Sequence, residues 1–156
     1  MTSHELHPGA DDRVTMTFEE RNAWLSLILI PATSIAYFAV VFPRLFSQPA
    51  SEVAWIAPML WAIGASIVGT ILGSIVWAIV ARDGKGESDI RDKQIERYGD
   101  RLAQAITAFG SAGVLVLVMV ETDYFWIGNA LYLIGAIGAT LGSIARIRAY
   151  RGSFNG

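Results

Sequence analysis

The sequence predicts an all-α, polytopic membrane protein, a four-helix bundle with both termini in the cytoplasm. Three observations carry this. Apolar residues make up 53% of the 156 residues and charged ones 17%, and the apolar ones gather in blocks near residues 23–42, 53–80, 102–120 and 125–145. At 1.5 Å per residue each block reaches across ~30 Å of hydrocarbon. Of the 12 basic residues, Arg13, Arg21, six within 82–101, Arg146, Arg148 and Arg151 fall on one side of that arrangement, and Arg44 alone falls on the other. The positive-inside rule then puts the chain in the cell's inner (cytoplasmic) membrane with N-in, C-in topology. The same bias argues against a dual-topology transporter, whose loops are nearly balanced.

The third observation is a repeat. Gly69-Thr-Ile-Leu-Gly73-Ser-Ile75 returns as Gly138-Ala-Thr-Leu-Gly142-Ser-Ile144, with five of seven positions identical. Steps of three and four extend the first copy through Ala62, Ser66, Gly69, Gly73 and Val76, and the second through Leu131, Gly135, Gly138, Gly142 and Ala145. Lipid tails are as apolar as leucine, so membrane helices associate where small side chains let backbones approach. Two duplicated helical hairpins explain the match, and so does a packing stripe without duplication. Both readings place Ala62, Ser66, Gly69, Gly73, Gly135, Gly138 and Gly142 at helix contacts. One of the two faces is expected to be used between spans two and four.

In chain order, residues 1–15 read as a flexible polar tail. No apolar run of signal-peptide length precedes the first span, which is therefore expected to stay as an anchor. Thr17-Phe-Glu-Glu20 has the form of a capping box. Pro31 removes a ladder hydrogen bond in mid-span and predicts a kink near residues 27–31, with Thr33 and Ser34 positioned to satisfy the freed carbonyls. Pro43 to Pro49 ends the first span, and Ser51-Glu52 is expected to cap the second. Residues 82–101 hold six acids and six bases, including Glu87 to Arg91 and Asp89 to Lys93 at helical spacing. Ile95, Tyr98 and Leu102 make a stripe that leads into span three, so a solvated helix continuous with that span is predicted, weakened at Gly99. Glu121 to Tyr124 is short enough to make spans three and four antiparallel neighbours. Residues 153–156 form a C-terminal tail.

Several classes of chemistry are excluded. With no cysteine there is no disulfide, thiol catalysis or cysteine metal site, and both histidines, His4 and His7, lie in the polar leader. No phosphate-loop, zincin or dinucleotide pattern occurs, so neither cofactor nor metal nor catalytic residue is assigned. The acids of 82–101 cancel its bases, which argues against direct nucleic-acid binding. No ionisable group sits at mid-depth, where proton and ion paths are usually marked. Arg101 and Arg146 are expected to snorkel to phosphates or, for Arg146, to pair with Asp100 or Glu96 on a neighbouring helix.

Two polar constellations remain. Glu121, Asp123, Trp126, Asn129 and Tyr132 gather at the outer end and suit a cation or an external ligand; the plainer reading makes Asp123 a helix cap and Asn129 a bridge to another helix. Gln104, Thr107 and Ser111 on span three, with Ser66 and Thr70 on span two, either line a polar pathway or make helix-to-helix hydrogen bonds.

At Thr17-Phe-Glu-Glu-Arg-Asn-Ala-Trp24, Asp89 to Arg101, Phe125-Trp-Ile-Gly-Asn-Ala-Leu-Tyr132 and Gly142-Ser-Ile-Ala-Arg146, the chain resembles a family of small bacterial four-span membrane proteins of unknown function. The likeness covers residues 16–152. Members are often encoded beside a helix-turn-helix regulator, so the resemblance implies a regulatory pair and brings no catalytic residues. The expected function is thus non-enzymatic: a homo-oligomer in the lipid bilayer that docks a cytoplasmic regulator through 82–101. The alternative is a small oligomeric transporter or channel.

Overall fold

The computed structural model describes residues 16–80 and 90–152. The expected tails and residues 81–89, with the Glu87 and Asp89 halves of their charge pairs, lie outside the described residues. Four helices follow in order: α1 (Phe18–Val41), α2 (Ile56–Val80), α3 (Ile90–Met119) and α4 (Tyr124–Arg151). Each is long and apolar enough to cross a membrane. The chain is an all-α, multi-pass membrane bundle.

Local chemistry sets the helix ends. Thr17 caps α1, its hydroxyl accepting from the Glu20 N–H at 3.2 Å, as the capping box predicts. The helix runs through Pro31, and Thr33 donates its hydroxyl to the Leu29 and Ile30 carbonyls. Ser34 turns away to Tyr132 instead. Beyond α1 the chain makes two 3-10 turns, Phe42–Phe46 and Ala50–Glu52, and α2 starts at Ile56. The expected cap at Ser51-Glu52 is thereby displaced: those residues belong to the second 3-10 turn. Pro58 fits the first turn of α2, where a missing N–H costs nothing. α3 is continuous from the charged segment into the membrane, as expected. It ends where the Thr122 N–H reaches the Leu117 carbonyl and Glu121 takes φ 55°, a left-handed cap usually given to glycine.

Across the bundle the order is α2, α1, α4, α3. α1 and α4 form the centre, α2 packs mainly on α1, and α3 packs on α4. Every neighbouring pair is antiparallel, so the start of α1 and the end of α4 share one end of the bundle. That end is called the charged end below, and the opposite one the turn end. At the turn end the α1–α2 connection folds over the helix tips, where Tyr37, Val41, Val53 and Phe125 are buried together. Arg44 pins the connection by donating to the Ala54 carbonyl at 3.0 Å.

The two copies of the repeat occupy unlike places. α2 buries no residue, so it is an edge helix and not an interior one. Its Gly69 and Gly73 face Leu29 and Leu25 of α1. On α4, Gly138 and Gly142 face α3: a Cβ built on Gly142 would sit 2.9 Å from the Gly99 carbonyl oxygen and 3.1 Å from the Ala103 Cβ. The expected use of a glycine face between spans two and four is therefore corrected, because each face serves a different neighbour. Gly135 is corrected too. A Cβ there meets nothing within 4 Å; the residue lines an open cleft of about 250 Å³ with Ser34, Ser66 and Tyr132.

Candidate functional site

At the turn end the proposed ligand cluster resolves into structural bonds. Asp123 caps α4 by accepting from the Phe125 N–H at 2.8 Å. Asn129 accepts from the Tyr37 hydroxyl at 2.7 Å and donates to the Phe125 carbonyl, which ties α4 to α1. Tyr132 shares a hydrogen bond of 3.1 Å with Ser34 of α1. Glu121 and Trp126 are exposed. The five residues do not converge on one ligand: two hold α1 against α4, one starts a helix, and the plainer sequence reading is the one the geometry shows.

The polar faces of α2 and α3 do not form a common wall. Ser66, Thr70 and Ser74 donate to carbonyls of their own helix, and Thr107 does the same on α3. Gln104 is exposed, and Ser111 is half-buried. α2 and α3 stand at opposite ends of the helix order, with α1 and α4 between them.

The charged end brings the four helices together. Asp100 of α3 accepts from Arg146 of α4 at 2.7 Å, the specific pairing the sequence allows. Glu20 of α1 lies 3.6 Å from Arg151 of α4, whose guanidinium sits 5.0 Å from the Trp24 ring centroid. Ser74 of α2 donates to Asn22 of α1 at 2.8 Å. Phe18, Glu19, Asn22, Glu96, Arg146 and Tyr150 line a cleft of about 150 Å³ here. The Arg146 Nε is buried and makes no hydrogen bond among the described residues. A cleft of this polarity and size admits water, which ordinarily serves such donors.

The helix geometry of α3 sorts its charges. Asp92, Glu96 and Asp100 recur at every fourth residue, which puts them on one face. That face borders the seam with α4 without being buried: Asp92 and Asp100 are half-buried and Glu96 is exposed. Ile95 and Gly99 beside it are buried, Asp100 is bonded to Arg146, and Glu96 lines the cleft. Lys93, Arg97 and Arg101 follow the acids by one residue, about 100° further round the helix. All three are exposed, as are Arg91 and Gln94. The segment that reads as charge-neutral in sequence thus sets its acids beside the α4 seam and its bases on the next, fully exposed face.

Sequence reasoning missed Gly99 as a contact and read it as a weak point. A Cβ there would lie 2.8 Å from the Gly142 carbonyl oxygen, so Gly99 is a point of backbone contact between α3 and α4. Gly110 against Ile134 and Gly128 under the Trp55 indole were missed likewise. The available signal was the glycine itself, since one kept inside a helix despite its cost usually marks a close approach. Among the described residues, no group of three or more His, Asp or Glu is arranged to hold a metal ion. Comparison of the chain with protein-family models, with curated proteins and with solved structures found no match.

Proposed function

We propose that the chain is a non-enzymatic, self-associating protein of the cytoplasmic membrane, with both termini and the charged end in the cytoplasm, which docks a soluble regulator through residues 82–101. The observation that supports this reading is the helical presentation of the described part of that segment on the flank of α4. α3 extends beyond its apolar run as a helix held to α4 by Asp100 and Arg146, by buried Ile95 and by the Gly99 contact. Its outermost turn exposes Ile90, Arg91 and Gln94. An apolar side chain beside a base on a pre-formed helix suits a partner with an acidic rim around an apolar notch, because little ordering entropy is lost on binding. Self-association belongs to the same reading, since α2 leaves its outer face entirely unburied and four spans provide two edge helices.

The experiment is site-specific photocrosslinking from position 90 or 94 of the full-length chain in cells. The reading expects a discrete heteromeric adduct that Arg91→Glu abolishes and that does not form from position 131. The same adducts with and without the charge reversal contradict it.

A further inference from the structure

The acids of α3 lie towards its seam with α4 and its basic ladder is exposed where the apolar run begins, and we infer that Arg97 and Arg101, with Lys93 at the margin, bind anionic phospholipid headgroups. Arg101 is the last charge before Leu102, and no charged residue follows until Glu121. Four residues of helix rise about 6 Å, so Arg97 stands ~6 Å and Lys93 ~12 Å outside the apolar boundary. The headgroup layer on each side of a bilayer is roughly 5–8 Å deep. Arg101 and Arg97 therefore lie within it, and Lys93 starts about 4 Å beyond its outer rim, reaching back along a flexible stem.

Charge complementarity selects the occupant. The nearby acids stand to one side of the ladder, towards α4. Asp100 is bonded to Arg146, and Glu96, though exposed, lines the cleft with Arg146 and Tyr150. Among the described residues Lys93, Arg97 and Arg101 take part in no ion pair. Two guanidinium groups one helical turn apart, each able to hold a phosphate through two parallel N–H bonds, match one diacidic headgroup or two neighbouring monoacidic ones. Tyr98 stands half exposed between them on the helix, an aromatic side chain at headgroup level. The inference does not depend on the docking reading, whose surface is the membrane-distal turn at Ile90, Arg91 and Gln94.

The test is native mass spectrometry of the full chain from mixed micelles holding equal amounts of phosphatidylcholine and phosphatidylglycerol. Preferential retention of phosphatidylglycerol is expected. Arg101→Gln and Arg97→Gln should each lower it by roughly five-fold, and Lys93→Gln by less, the worth of one cation near an anionic surface. Arg101→Lys should keep much of the retention, and Arg91→Gln should leave it unchanged, with equal helicity for all variants. Equal retention of the two lipids, or a loss from Arg91→Gln as large as that from Arg101→Gln, overturns the inference. A crosslinked partner lost on Arg91→Glu with lipid retention intact would show that the two readings stand or fall separately.

Discussion

The α3–α4 seam and the α1–α2 seam are built on the same heptapeptide and differ in what that peptide touches. On α4, Gly142 meets the backbone of Gly99, and the two helices approach until neither position has room for a Cβ. On α2, Gly73 meets only the methyl ends of Leu25, 3.1 Å from where its Cβ would stand, and Gly69 meets those of Leu29. Backbone cannot retreat, whereas a leucine tip moves by a few tenths of an ångström at small cost. A glycine stripe in sequence therefore announces a contact but not its tightness. The tightness is decided by whether the stripe meets backbone or the movable end of a side chain.

Substitutions at the two seams sharpen that contrast. Gly142→Leu should have the largest effect, a loss of about 3 kcal/mol or more through overpacking against Gly99 and Ala103, with no cooperative melting in detergent; an unchanged melting temperature would contradict the seam. The central α1–α4 contact is held by polar groups instead of glycines. Asn129→Leu leaves the buried Tyr37 hydroxyl without its acceptor and should cost ~1–2 kcal/mol, read as a lower denaturation midpoint. Arg146→Met breaks the pair with Asp100 at the open end of the α3–α4 seam. Both side chains keep partial contact with solvent, so the expected loss is about 1 kcal/mol, shrinking as salt is added. Gly135→Ala should be the mildest. It adds a methyl where nothing lies within 4 Å and gains up to ~1 kcal/mol of helix propensity, so its melting temperature should hold or rise.

Much of this architecture was legible in the residues. Block length gave four spans, Thr17 and Asp123 gave two caps, and the acid-base spacing allowed Asp100 to find Arg146. The helix order was not legible, because an edge helix and a central one are equally apolar when lipid replaces water as the surrounding medium. Nothing in Gly69 to Ile75 distinguishes it from Gly138 to Ile144 on that score. The charge-neutral loop misled for a geometric reason: six acids and six bases cancel in a sum, while a one-residue offset on a helix separates Asp92, Glu96 and Asp100 from Lys93, Arg97 and Arg101. At the turn end, Tyr37 and Ser34 were invisible as partners of Asn129 and Tyr132, since those pairs join residues 92 and 98 positions apart.

The most direct measurement compares the thermal unfolding of Gly142→Ala and Gly73→Ala in one detergent. The α4 substitution should lower stability by ~1–3 kcal/mol, and the α2 substitution should stay within ~0.5 kcal/mol of the parent. Equal losses, or a larger loss at Gly73, would contradict a backbone-to-backbone seam at Gly142.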